Sequence, residues 1–152
     1  MVVGEFSGDK QTMATIQHLR EEHALLVRIV GQLAECISRP APPPATELFA
    51  VRRELNTTLI GHLKAEDWIL YPMLLTSDDA ETAATARQFL DEMGGLAAAF
   101  LAYADKWSAS AIESDWDGYC SESKGIIEAL TQRIIRENRD LYPLAEREKR
   151  AA

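Results

Sequence analysis

His62 and Glu66 carry side chains that can bind metal ions, and they are four positions apart in the chain. Residues with this spacing lie one above the other on a helix. The neighbouring Leu59, Leu63 and Leu70 indicate that this helix face points into an apolar core. Such a pair is also common on helix surfaces, so it predicts a metal site only when further ligands face it.

Two more residues of this chemistry, His23 and Glu137, occupy apolar seams of other predicted helices. His23 lies between Leu19 and Leu26, and Glu137 precedes Leu141 by one helical turn. A lone histidine in such a place is often a hydrogen-bonded core residue. Four such residues inside one bundle predict a metal site, because buried carboxylates are costly without a cation. Histidine with carboxylate ligands suits iron in particular.

Helices must position these residues, since four segments carry helical periodicity, at about residues 11–38, 46–75, 79–108 and 115–147. Prolines at positions 40 and 42–44 separate the first two segments. We predict helix N-caps at Thr46, Asp78 and Ser114. No segment shows the alternation of apolar and polar residues that is typical of a β-strand. The pattern predicts an all-α, antiparallel up-down-up-down four-helix bundle that forms a single domain over residues 1–152.

The chain contains a weak internal repeat. Residues 66–72 are Glu-Asp-Trp-Ile-Leu-Tyr-Pro and residues 137–143 are Glu-Asn-Arg-Asp-Leu-Tyr-Pro. The same offset aligns His62 with Arg133, and an offset shorter by one residue aligns His23 with Met93. The two helix pairs are therefore predicted to be halves of a duplicated design. Tyr71 of the first half and Tyr142 of the second half can each hydrogen-bond into the site or act as packing residues.

The inner stripe of the second helix is predicted to end with Leu70 and Met73. That of the fourth helix is predicted to end with Leu141 and Leu144. One residue of helix phase decides whether Glu137 or Asn138 faces the centre, and the sequence leaves this open.

Three motifs carry a resemblance to a known family. They are Leu-Arg-Glu-Glu-His at residues 19–23, His-Leu-Lys-Ala-Glu at residues 62–66, and the Leu-Tyr-Pro closure that occurs twice. The chain resembles hemerythrin-like (HHE cation-binding) domains over about residues 14–147. The resemblance implies a helical bundle with a di-iron centre that binds oxygen or responds to oxygen, nitric oxide or iron. It also implies that the ligands of one iron survive as His23, His62, Glu66 and Glu137.

The second half departs from the family pattern. Met93 and Arg133 occupy positions where the resemblance implies histidines, and Ala97 stands where some members place another. An arginine cannot ligate a metal. Its guanidinium can instead bridge Glu66 and Glu137 and replace the lost metal charge. Alternatively, Arg133 extends to solvent and pairs with a surface acid. Met93 is predicted to fill the core.

Three functions remain open from the sequence. The first is a cytoplasmic sensor domain that holds at most one metal ion, iron, in this degenerate site and binds oxygen or another small ligand. The second is a metal-free bundle, with Arg133 in the lost metal position, that acts as a structural or regulatory partner, for example as a homodimer. The third is a redox or peroxide enzyme, although a non-enzymatic role is expected.

Bulk composition narrows the partners and the compartment. The net charge is −8 and the sequence has no basic run, which argues against nucleic acid and anionic membranes as partners. Cys36 and Cys120 are predicted to be reduced thiols. Residues 1–11 lack the pattern of a signal peptide, and no apolar run approaches the ~20 residues of a membrane span.

Overall fold

The structure, a computed structural model, describes the backbone of residues 5–151 and the side chains of residues 15–147. The expectations about residues 1–11 and about the ends of the domain fall partly outside this range. Within it no strand occurs, and no helix has the length and apolar character to cross a bilayer. The helices are α1 (Glu5–Ile37), α2 (Ala45–Ala65), α3 (Tyr71–Leu75), α4 (Ala80–Met93), α5 (Leu96–Lys106), α6 (Ala109–Ser114), α7 (Trp116–Arg136) and α8 (Tyr142–Ala151).

Two π-helical segments join these helices into long rods. The first π segment (Glu66–Leu70) connects α2 to α3, and the second π segment (Glu137–Leu141) connects α7 to α8. The four rods of the bundle are α1, then α2 to α3, then α4 with α5, then α7 to α8. α1 packs against α2, α7 and α8, while α5 packs against α2 and α7. The helical bundle predicted from the sequence is confirmed.

Two apolar clusters fill the interior, and the polar cluster lies between them. Along α1, Leu19 belongs to one cluster and Leu26 to the other, with His23 between them. The second and fourth rods pass through the two clusters in the opposite order. Their buried apolar residues up to Leu63 and Ile134 join the cluster of Leu26, and those from Leu70 and Leu141 onward join the cluster of Leu19. The candidate ligands are therefore held at a fixed level of the bundle by apolar packing on both sides.

The π segments correct two predicted core positions. The amide of Tyr71 donates to the carbonyl of Glu66, five residues back instead of four. The extra residue advances the buried face by one position. Leu74 is therefore buried where Met73 was predicted, and Ala145 is buried where Leu144 was predicted. A proline follows each segment at position 72 or 143 and removes an amide donor that a regular α-helix would use.

The third rod is not continuous, in contrast to the prediction over residues 79–108. It is interrupted between α4 and α5 at Gly94 and Gly95, and a Cβ atom at Gly94 would lie 2.5 Å from the carbonyl oxygen of Leu90. The short helix α6 was not predicted either.

The predicted N-caps were also wrong. Asp79 caps α4 and Asp115 caps α7, each one residue after the predicted position. The N-cap of α2 is Pro44, with no side-chain hydrogen bond. The true caps accept from the amide three residues on, as a cap should. The capping signatures thus located the helix starts to within one or two residues.

Candidate metal centre

Four side chains from three rods of the bundle converge in its interior. His23 comes from α1, His62 from the end of α2, and Glu66 and Glu137 from the first residues of the two π segments. Each offers one ligand atom, and these atoms all lie within 4.8 Å of one another. None of the four residues is more than 1% exposed. A single ion at the centre would be within reach of all four.

Both imidazoles are oriented through their Nδ1 atoms. His62 Nδ1 lies 3.1 Å from Glu22 Oε1, and His23 Nδ1 lies 2.7 Å from Asn138 Oδ1. A proton on each Nδ1 satisfies these acceptors and leaves Nε2 unprotonated, as metal binding requires. His23 Nε2 also lies 3.1 Å from the Tyr142 hydroxyl. The Nε2 atoms face the carboxylates, since His62 Nε2 is 3.0 Å from Glu66 and His23 Nε2 is 3.3 Å from Glu137.

Arg133 is buried beside the four residues and does not extend to solvent, because its side chain is only 2% exposed. Its Nε donates to Glu137 Oε2 and its Nη2 to Glu66 Oε1, each over 3.2 Å. Nη2 also donates to Asp67 Oδ1 at 3.1 Å, and Nη1 to the Met93 carbonyl at 3.4 Å. The guanidinium therefore bridges both candidate metal-binding carboxylates.

Two tyrosines cross-link the halves of the bundle. The hydroxyl of Tyr71 donates to Glu137 Oε2, and the hydroxyl of Tyr142 donates to Glu66 Oε2, each over 2.7 Å. Burial is the main reason that the pKa of both phenols is raised, so both hydroxyls stay protonated and continue to donate. Each repeat thus supplies the tyrosine that fixes the carboxylate of the other repeat.

His62 holds a proton readily in the absence of a metal. Burial works against its charged form, but the hydrogen bond to Glu22 and the contact with Glu66 outweigh that effect and raise the pKa of the imidazole to about 9. A bound metal would have to replace this proton, because only the neutral imidazole is a ligand.

The two central carboxylates differ in proton affinity. Burial alone would raise the pKa of Glu66, but His62 and Arg133 lower it below its usual range. For Glu137, burial and the nearby charge of Glu66 outweigh His23 and Arg133 and raise the pKa. Like charges in one apolar site push the two values apart in this way. Without metal, protonated His62 and Arg133 are the cations that balance these carboxylates.

Two buried atoms of this cluster, His62 Nε2 and Glu137 Oε1, make no well-directed hydrogen bond. Each nevertheless lies beside a potential ion-pair partner, Glu66 Oε1 at 3.0 Å and His23 Nε2 at 3.3 Å. Buried polar atoms are almost always satisfied, so unsatisfied ones call for an explanation. An ion ligated by both atoms would satisfy them, and two imidazoles with two carboxylates suit a transition metal. Arg133 already engages one oxygen of each carboxylate, so the residues present fit one ion rather than two.

The structure places the remaining predicted residues as follows. The sequence left open whether Glu137 or Asn138 faces the centre. Glu137 does, and Asn138 contacts the outer nitrogen of His23, so both residues lie at the site. Met93 is half-buried, packs against an apolar cluster and contributes its carbonyl oxygen. Ala97 packs against the other apolar cluster.

The sequence analysis missed the roles of Glu22 and Asp67. Glu22 directly precedes His23 and orients a different histidine, His62, on the neighbouring rod. A buried imidazole requires a partner for its outer nitrogen, but the sequence does not say which acid supplies it. Asp67 adjoins Glu66 and gives Arg133 a third carboxylate.

The fold and the site together define a helical-bundle domain with an interior cluster of histidines and carboxylates that could hold a metal ion. The model of the family described as the hemerythrin HHE cation binding domain matches residues 14–145, and the chain belongs to that family. No curated protein sequence and no solved structure matches the chain significantly. The family assignment agrees with the resemblance carried by the sequence motifs.

Proposed function

We propose that this domain binds a single transition-metal ion, iron, through His23, His62, Glu66 and Glu137. The observation that carries the proposal is the convergence of four buried ligand atoms within 4.8 Å of one another. Two of the residues, His62 through Nε2 and Glu137 through Oε1, also have a buried atom without a well-directed hydrogen bond. Arg133 provides a permanent positive charge beside the ion, where the family pattern implies ligands of a second iron.

We further propose that the loaded domain is a sensor of a small ligand such as oxygen. Bound iron supplies a redox-active centre whose coordination shell the four protein ligands need not complete. Tyr71, Tyr142 and Arg133 each contact Glu66 or Glu137 and thereby fix the ligands. Such contacts orient metal ligands and strengthen metal binding.

A second candidate function rests on the charge balance of the cluster. Protonated His62 and Arg133 neutralise Glu66 and Glu137, so the bundle is internally compensated without any ion. In that case the domain is a metal-free descendant of the family that acts through its surface, as a homodimer or a regulatory partner. Arg133 is then a structural substitute for metal.

Metal content separates the two candidates. The protein is purified without chelators, incubated anaerobically with ferrous iron, freed of unbound metal and subjected to elemental analysis. Retention of one iron per chain supports the single-ion centre. If the protein retains neither iron nor any other transition metal offered in parallel, the metal-free bundle is the remaining candidate and the sensor proposal is refuted.

A further inference from the structure

A pocket of about 240 Å³ opens between α2, α5 and α7, in the part of the bundle that holds the larger apolar cluster. Its walls include five aromatic side chains and two adjacent arginines: Phe49, Phe100, Tyr103, Trp107, Tyr119, Arg52 and Arg53. None of these residues belongs to the metal centre. Aromatic walls with a few polar groups are the usual composition of a small-molecule site.

The aromatic floor carries an unsatisfied polar group. Tyr119 is fully buried, and its hydroxyl makes no well-directed hydrogen bond, although it is close enough to Tyr103 to add to the rise that burial causes in the pKa of that phenol. The neighbouring phenol differs, because the hydroxyl of Tyr103 lies 2.5 Å from Ser123 Oγ. A buried hydroxyl without a partner is costly, and a polar atom of a bound molecule would relieve that cost.

The rim carries positive charge that no carboxylate neutralises. Among residues 15–147, three arginines make no ion pair, Arg52, Arg53 and Arg87, and two of them line this pocket. The arginines that do pair with acids are Arg20, Arg28, Arg39, Arg133, Arg136, Arg139 and Arg147.

The unpaired guanidiniums favour an anionic ligand. Arg52 donates through Nη2 to the carbonyl of Trp107, which holds it at the rim and leaves its other N–H groups available. Arg53 is exposed. In a chain of net charge −8, two uncommitted guanidiniums side by side form a local positive field, and their planar forks match a carboxylate.

We propose that this pocket binds a small aromatic carboxylate. The ring lies among the aromatic walls, the carboxylate pairs with Arg52 and Arg53, and a polar substituent on the ring reaches the hydroxyl of Tyr119. The volume falls below the ~300–1,000 Å³ usual for drug-sized ligands, so the ligand has on the order of ten non-hydrogen atoms. The site does not depend on the proposed metal.

Calorimetric titration with 4-hydroxybenzoate, benzoate and uncharged 4-hydroxybenzyl alcohol tests the proposal at constant ionic strength. We expect 4-hydroxybenzoate to bind more tightly than benzoate, and the alcohol to bind at least about tenfold more weakly than 4-hydroxybenzoate because it lacks the charge. No binding of either carboxylate, or equal binding of the alcohol, overturns the proposal.

Three variants assign the contacts. Arg53→Ala should weaken both carboxylates by about fivefold or more, whereas Arg87→Ala, which removes an unpaired arginine from α4, should leave both unchanged. Tyr119→Phe should abolish the preference for 4-hydroxybenzoate over benzoate and leave benzoate binding intact. Equal affinities of Arg53→Ala and Arg87→Ala overturn the site, and this comparison stands even if Tyr119→Phe does not fold.

Discussion

Arg133 and Glu66 face each other across the bundle, with Arg133 Nη2 donating to Glu66 Oε1 over 3.2 Å. Arg133 also contacts Glu137, four residues on in its own rod, as His62 contacts Glu66 in the other half. The duplicated design therefore places a cation one turn before each glutamate. In the first half that cation is a titratable imidazole, which can exchange its proton for a metal. In the second half it is a guanidinium, which cannot.

Replacement of Arg133 by leucine should be the most damaging single change at the site in metal-free protein. It leaves two buried carboxylates without their permanent counter-charge, and breaking a buried pair from one side costs about 3–5 kcal/mol. Urea denaturation of chelator-treated protein measures this loss. Arg133→Lys should lose less stability, because the charge is retained without the bidentate geometry.

The control for this change is Arg28→Leu. Arg28 pairs with Glu54 over 2.6 Å, but both side chains are more than 40% exposed. Exposed pairs contribute about 0–1 kcal/mol, so the control should stay close to the wild type. If Arg133→Leu unfolds at the same urea concentration as Arg28→Leu, Arg133 is not the counter-charge of the cluster.

Replacement of His62 by alanine should abolish metal retention. Metal stabilises the folded state by mass action, by about 2.7 kcal/mol at a hundred times Kd, and this gain requires the ligand. The gap in Tm between metal-loaded and metal-free protein should therefore vanish in His62→Ala. His18→Ala is the surface control, in which the gap should persist, because 68% of the His18 side chain is exposed and its one ion-pair contact is a long one of 3.7 Å to Glu22. A persistent gap in His62→Ala would refute ligation by His62.

The sequence predicted those features that follow from periodicity and residue chemistry. In the third predicted helix, apolar residues recur at spacings of three and four: Ala86, Phe89, Met93, Leu96, Phe100, Tyr103 and Trp107. All of them are buried except half-buried Met93, because an apolar stripe with helical spacing packs against the core. His23, His62, Glu66 and Glu137 meet because each lies on such a stripe. Their side-chain types then limit what the meeting point can bind.

The remaining features depend on local backbone changes and on contacts between rods. The π segments advance the buried face by one residue, and a stripe drawn with constant period necessarily missed the advance at Met73 and Leu144. The Tyr-Pro pair after each glutamate was the available signal, because proline withdraws a helical amide. The pairing of Glu22 with His62 depends on how α1 and α2 dock, which no local pattern encodes.

Restoring the missing histidines should add a second metal position. The double variant Met93→His and Arg133→His removes the guanidinium and places imidazoles where the family pattern implies them. Arg133 Nη1 lies 3.4 Å from the Met93 carbonyl, so the two replaced residues are neighbours in space. We expect two metal ions per chain by elemental analysis, against one in the parent.

Met93→Leu serves as the control for the double variant, because it keeps an apolar side chain and Arg133, and it should retain one ion. A double variant that folds and still holds one ion would show that Arg133 does not occupy a former metal position. Such a result would leave the single-ion proposal itself standing, since that proposal depends on the other four residues.

Glu22 should tune the metal affinity without being a ligand. Its Oε1 lies 3.1 Å from His62 Nδ1, so a carboxylate orients the imidazole and strengthens it as a ligand. Glu22→Gln keeps the shape and removes the charge. Loss of such an outer partner typically weakens metal binding by about 10–100-fold, so chelator competition should show this loss with the stoichiometry still at one ion.

The adjacent Glu21 provides a control with the same chemistry on the same helix. It is exposed, and its only hydrogen bond among the described residues is a 3.4 Å contact from Gln17. Glu21→Gln removes the same charge from the same stretch of α1, so any long-range electrostatic effect on the metal appears in both variants. The difference between the two affinities isolates the contact with His62. Equal affinities would mean that Glu22 acts only as a distant surface charge and that His62 is oriented by its rod alone.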